Sequence, residues 1–428
     1  MFKENRLINA LPTSRSDLEK QKFVDDGSGN TAVRAVIVSG GGGGGGATGY
    51  DATVGSTGDY ADIQAAITGV GGTDIKLLLL EDITEDSDIA VPSGANLVID
   101  LSSYTLTMAD YQFTYTGAAN VSVFGNGRAS GAEIDWTPTA GQDLFINASY
   151  VASVTEIKDL KLDNNATAAN AAVSGAIEKV NNITFELPNL ADCGFKPAAD
   201  GSIYDNIEFI GGGSACKNII NPTLSKEFIV SNILLTGTFQ TGADVMVLYG
   251  DVVASNILYT GSASIRFALR SGEIVMNNFN SNAGAVEIYF NGLDDSSLSN
   301  FYLKGGTLDI GSGEGLNITN GHGIATLDMT DTGASNCNFT NLTVTNNPSI
   351  RGDGHKFTNV NFLGGATAYA GVSDSGFVNC QFGADAGGGS NTLTIQSGAN
   401  RTRVGFCMTD AAISDSGTDT EAFGNTIY

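Results

Sequence analysis

The sequence predicts an all-β chain, a right-handed parallel β-helix solenoid capped by one short N-terminal helix. Three observations carry that expectation. One motif, Asn followed by an apolar residue, any residue and a second apolar residue, returns at intervals of about 22 residues. Between its copies lie runs of strand-forming residues separated by Gly, Ser, Thr, Asn and Asp. After residue 50, one stretch alone, residues 60–70, has apolar residues at helical spacing.

The elements follow in chain order. Residues 1–39 form a separate N-terminal segment. It holds a short helical candidate at 14–22 with Ser16 as N-cap, an Asp25-Asp26-Gly27 turn and a strand-like run at 32–38. It is too small to hold a core and is expected to order by docking onto something else. Residues 40–49 contain seven consecutive glycines at 40–46 and read as a linker, because glycine loses the most backbone entropy on ordering. Charge shifts across it: residues 1–34 sum to about +1, so nearly all the negative charge lies beyond. Tyr60, Ile63, Ile67 and Val70 then make one apolar stripe, with Asp59 placed to cap the start and Gly71-Gly72 to stop the end. A helix with such a stripe must lie across something, and the open edge of a first coil would need that cover.

From residue 75 to the C-terminus short strands repeat. The motif stands at Asn96, Asn120, Asn206, Asn232, Asn256, Asn300, Asn341 and Asn359, with weaker copies at Asn182, Asn278, Asn317 and Asn379. Leucine-rich repeats share the period, but the L-x-x-L-x-L frame and convex helices are missing. Coils stacked at the strand spacing fit instead, roughly fourteen of them in a rod on the order of 65–70 Å. The apolar residues point inward and the residue between them outward. Asn at the turn tolerates the left-handed conformation and can hydrogen-bond its copy one coil away.

Composition narrows the function classes. The chain has 428 residues and a net charge of −25. Such a surface repels phosphate backbones, so nucleic-acid binding through a broad basic face is excluded as a first reading. No apolar run reaches the length of a membrane span, and residues 1–10 lack the apolar core of a secretory signal. Five cysteines at 193, 216, 337, 380 and 407, without CxxC spacing, argue against a disulfide framework or a cysteine zinc site and for folding in a reducing cytoplasm.

A glycan-cleaving β-helix needs converging carboxylates; the candidates are Asp294-Asp295, Glu273 with Glu287, and Glu208. Each has a plainer reading: a solvated turn for the Asp pair, an outer face for the others. His322 and His355, each in a glycine turn, are expected as exposed turn residues rather than a shared metal site. Arg351-Gly352-Asp353 spells an integrin-binding tripeptide that such composition produces by chance. Cys337 and Cys380 follow the motif Asn and so belong inside as small hydrophobes. Trp136, with Tyr111 and Tyr115, is expected to fill a contact between coils or subunits, with sugar stacking as the alternative. No residue is assigned a catalytic, cofactor-binding or metal-binding role, and no cofactor is expected. Leu234, Leu258 and Tyr302 sit at outward positions where an isolated solenoid wants polar residues, which points to association with other copies.

Over residues 50–428 the chain resembles the pectin-lyase-like β-helix superfamily. The residues that carry the likeness are Tyr60-Ala61-Asp62-Ile63-Gln64-Ala65-Ala66-Ile67, the Gly pair, and the strand Asn96-Leu97-Val98-Ile99-Asp100. Phe23-Val24-Asp25-Asp26-Gly27-Ser28-Gly29-Asn30-Thr31-Ala32-Val33-Arg34 is similar to short N-terminal segments of tailed-phage appendage proteins. The resemblance implies a homotrimeric virion appendage, a tail or head fibre or spike, assembled in the host cytoplasm. Residues 1–39 would anchor it to other virion proteins, and the rod would adhere to host-surface polysaccharide without inserting into a membrane or binding nucleic acid. With the last coil running nearly to Tyr428, no separate C-terminal receptor-binding domain is expected. The alternative is a tailspike depolymerase, a polysaccharide hydrolase or lyase on the same rod. A bacterial adhesin is the third reading, against which the missing signal peptide counts.

Overall fold

The computed structural model describes residues 49–427, except 146–152, 198–199, 223–226, 283–284, 332, 370–371 and 384–390. The anchor segment 1–39 and most of the linker 40–49, with the elements expected there, therefore lie outside the described residues. What is described is a right-handed parallel β-solenoid of about 16 turns with one helix, two turns more than the sequence suggested. At the strand spacing this makes a rod on the order of 75 Å.

Every coil lays its strands in parallel register on the coil before. Phe228–Thr238 pairs with Ser202–Gly212 on one side and Val252–Tyr259 on the other. Alternation does what it should: Phe228, Val230, Ile233 and Leu235 point inward and are buried, while Ile229 and Leu234 point out. The core is one continuous apolar column from Ala52 to Cys407. Its aromatic residues report the coil spacing directly. Phe339, Phe357 and Phe377 stack with ring centroids 4.8 and 4.9 Å apart and interplanar angles of 7° and 6°.

The repeated Asn makes the bend between two strand segments of one coil. Asn182, Asn206, Asn232, Asn256, Asn278, Asn300, Asn320, Asn341, Asn359 and Asn379 all have φ between 52° and 59°. The ladder skips them, as Ser231 and Ile233 pair with Asp205 and Ile207 on either side of the bend. Asn tolerates this region better than other side-chain-bearing residues, and in several coils its amide bonds the neighbouring copy. Asn256 Nδ2 donates to Asn232 Oδ1 (2.9 Å), Asn278 Nδ2 to Asn256 Oδ1 (2.7 Å), and Asn341 Nδ2 to Asn320 Oδ1 (3.0 Å).

Three motif copies do something else. Asn96 and Asn120 pair with each other as the first residues of extended strands, and Asn317 pairs within the strand Asn317–Asp328. The ladder member of that coil is Asn320, which the motif misses because Gly321 follows it. Gly321 replaces the inward apolar residue since a Cβ there would lie 2.1 Å from Phe301 Cζ. Any strand that opens with Asn satisfies the motif; the left-handed bend is a stricter requirement.

The helix Ile63–Val70 buries Ile63, Ala66 and Ile67 against the strands Ala52–Val54, Asp74–Leu79 and Ile89–Val91. Its N-cap is Asp62, whose Oδ1 accepts from Ala65 N, and not the expected Asp59. Asp59 instead accepts from Thr53 N and Oγ1, closing the preceding turn. Gly71, at φ 62°, ends the helix as expected.

Glu85 also meets the helix start. It is 2% exposed, and its Oε1 accepts from Ile63 N at 2.9 Å. Burial first, then the charges of Asp62 and Asp86, raise its pKa from the ordinary 4.5 to about 7 despite that bond. A raised carboxyl contributes stability that is present below pH 4.5 and is lost as pH rises through 7. Thermal unfolding should therefore shift down between pH 5 and pH 8. Glu85→Gln keeps an acceptor without the charge and should flatten that part of the profile by at most about 3 kcal/mol; identical profiles for the two proteins would refute this.

Candidate functional site

Two faces of the rod gather side chains that can act on a partner. The first is the bend face. On the segment before each Asn, Ile203, Ile229, Val253 and Val275 stack outward in register. On the segment after it, Leu234, Leu258, Asn280, Tyr302 and His322 form a second row. From the coil of Asn232 to that of Asn341, the bend residue, the first and third residues before it and the second after it include no carboxylate, Lys or Arg. Charge returns at the N-terminal side with Asp205 and Glu208, the latter paired to Leu234. Large hydrophobic residues lie exposed on this face: Ile229, Val253 (50%), Tyr302, Val378, Phe406 (61%), Met408 and Phe423. Two of the three outward residues singled out from sequence, Leu234 and Leu258, are half-buried, and Tyr302 is exposed. The row before the bend was missed because Ile229 and Val253 sit in runs that are apolar throughout.

Toward the C-terminus the second row becomes polar. Thr343, Asn361, Gln381 and Met408 continue it. With Asn341, Asn359, Asn379 and His322 they line a shallow groove of about 320 Å³. Asn361 Oδ1 is shielded from solvent and has no hydrogen-bond partner among the described residues.

The second face carries charge. Asp244, Arg266 and Glu287 lie side by side on successive coils, as do Tyr289, Asp309 and Asp328. Arg266 Nε donates to Asp244 Oδ1, Arg270 bonds Asp244 Oδ2 at 2.7 Å, and Arg266 Nη1 stands 3.6 Å from Glu287. The Arg266 guanidinium also lies over the Tyr289 ring, 5.3 Å from its centroid. Burial, then repulsion by Asp328 and Glu287, raises Asp309 to about 6. A carboxyl whose pKa is raised toward neutrality beside other carboxylates is the kind of group general acid catalysis uses. No group of three or more His, Cys, Asp or Glu side chains among the described residues is arranged to hold a metal ion.

Of the acidic candidates read from sequence, only Glu287 belongs to this cluster. Glu273 is exposed, its backbone N bonded to Asp251 Oδ1, and does not join Glu287. Asp294 and Asp295 are both exposed, but only Asp295, at φ 52°, lies at a turn; Asp294 ends the strand Val286–Asp294 and pairs with Glu314. Asp309 and Asp328 were overlooked although Thr-Leu-Asp recurs at 307–309 and 326–328, a repeat that marks one position on neighbouring coils. Arg266 and Asp244 have no such signal.

The remaining candidates are structural. His355 is not an exposed turn residue: it is fully buried, takes Cys337 N on Nδ1 (3.3 Å) and meets Arg351 O through Nε2 (2.9 Å). Burial lowers its pKa. His322 lies on the bend face, so the two do not form a pair. Arg351 stacks over Tyr369 and Asp353 accepts from Ser373 N, which builds the tripeptide into its coil. Cys337 and Cys380 are buried as expected, and all five cysteines are free. Trp136 is 1% exposed with Nε1 bonded to Tyr111 O, a filler of the contact between coils and not a sugar platform.

No protein-family model matches the chain, and no curated protein matches it. Among solved structures, similar backbones include the A-module of the mannuronan C-5 epimerase AlgE6 of Azotobacter vinelandii. It is 13% identical, over 86% of this chain and 94% of that one, with a TM-score of 0.26. The A-module of AlgE4 from the same organism is 13% identical over 86% and 91%, at 0.18. ORF18 of Geobacillus virus E2 is 11% identical over 83% of this chain and 53% of that one, at 0.13. Likeness this remote carries no chemistry from one chain to another.

Proposed function

We propose that the chain is a non-enzymatic virion appendage, a trimeric β-helix fibre or spike that adheres to host-surface polysaccharide and docks through residues 1–39. The observation that carries this reading is the uncharged, partly apolar stripe on the bend face. Copies with a net charge of −25 repel one another. A stripe free of carboxylates, with Ile229 and Val253 exposed, is a surface on which they can meet while burying apolar area. Fibre and spike proteins of phage, which the head and the rod resemble, are homotrimers of this kind.

The charged face favours a second reading, a polysaccharide hydrolase or lyase with Asp309 as acid and Glu287 or Asp328 as the second carboxyl group. One experiment separates the two. Purified protein should sediment as a trimer, and as a monomer after Val253→Glu; incubated with host capsular polysaccharide or lipopolysaccharide, it should leave chain lengths unchanged. A wild-type monomer would defeat the appendage reading. Shortened chains, with the activity lost in Asp309→Asn, would establish the enzyme instead.

A further inference from the structure

We infer that the bend face between Tyr302 and Phe406 is a binding track for an uncharged, hydroxyl-rich glycan laid along the rod axis. This rests on the polysaccharide-binding reading above and adds the place and the ligand class. The row after the bend runs through Tyr302, His322, Thr343, Asn361, Gln381 and Met408, one residue per coil. Five steps at the coil spacing span about 24 Å, enough for several sugar rings end to end.

The chemistry of the track matches sugar hydroxyls. A primary amide presents a donor and an acceptor side by side, as a vicinal diol does. The Asn ladder runs through Asn359, whose Nδ2 donates to Asn341 Oδ1 at 3.1 Å, and stops there. Asn379 makes no side-chain bond to Asn359, which leaves the Asn359 oxygen and the Asn379 amide to the groove, beside the unpartnered Asn361 Oδ1. A shielded amide oxygen without a donor is costly, and a rotation of the side chain would turn it toward a ligand hydroxyl in the groove.

Aromatic rings bound the track. Tyr302 is 40% exposed at one end. At the other, Phe406 occupies the bend position of its coil at φ 55°, 61% exposed, its ring set against Phe423 at 88°. Exposed rings flanking convergent amides suit the apolar faces of sugars. Charge selects the class: a net −25 chain repels uronates and sialates, and neither Lys nor Arg lines the groove itself. Of the two exposed cations three residues before the bend on this face, Lys356 and Arg403, the second is paired with Glu421.

The test is an array of bacterial capsular and O-antigen polysaccharides, neutral and acidic, probed with the full chain, Phe406→Ala and Asn361→Ala. Thermal unfolding and sedimentation are measured alongside. Binding to neutral members, weakened about ten-fold or more by each substitution with trimer and melting temperature kept, is the expected result. Should Asn361→Ala fail to fold, the exposed Phe406 decides alone. Binding confined to acidic members overturns the ligand class, and binding indifferent to the substitutions overturns the site while leaving the polysaccharide reading intact. Loss of the trimer in Phe406→Ala would give the track to a second copy and overturn the inference. No binding to any member removes the inference and the reading together.

Discussion

Phe357→Ala should destabilise the rod by about 3–5 kcal/mol, the largest single-residue effect expected in it. Phe357 is fully buried between Phe339 and Phe377, with near-parallel rings on both sides and Phe362 edge-on at 5.7 Å. Neighbouring coils cannot collapse into the void, because their spacing is set by backbone hydrogen bonds such as Lys356 N to Cys337 O and Gly376 N to His355 O. In a solenoid each coil is held only by its neighbours, so the loss should divide the rod at that level. Hydrogen exchange should show the coils beyond residue 356 opening first, while those before 300 keep their protection. A uniform loss along the rod would mean that the coils are coupled more widely than nearest neighbours.

Asn256→Ala should cost about 2–3 kcal/mol, and Asn256→Gly distinctly less. Two terms add in the alanine variant. A Cβ-bearing residue without a local side-chain bond costs about 1–2 kcal/mol in the left-handed region, where Asn256 sits at φ 54°. The ladder bonds to Asn232 and from Asn278 are lost as well, each with a net value of about 1 kcal/mol or less at this exposed position. Glycine loses the same bonds but has no penalty at positive φ. Within strands glycine normally destabilises more than alanine, so the reversed order, read from urea midpoints, is diagnostic of the bend. The usual order would show that the ladder bonds alone explain the repeated Asn.

Much of this architecture was legible in the sequence. Residues such as Val230, Ile233 and Leu235 alternate with outward partners, and that alternation fixes which side chains enter the column. The regular return of Asn then follows from one of the bends each coil must make. The helix stripe was legible for the same reason, although its cap was not: Asp59 and Asp62 are both placed to serve, and only the turn with Thr53 assigns them.

By itself, then, the sequence determined the parallel solenoid, the face that turns inward and the net charge that its surface carries. Tertiary structure alone decided which outward residues meet across coils. Loops between strands differ in length from one coil to the next, so sequence distance does not give register, and a side chain's neighbours are the residues one whole turn away. Asp309 therefore comes to lie beside Asp328 and near Glu287, and Asn361 beside Gln381. Charge cluster and amide groove alike are products of backbone pairing 4.8 Å at a time.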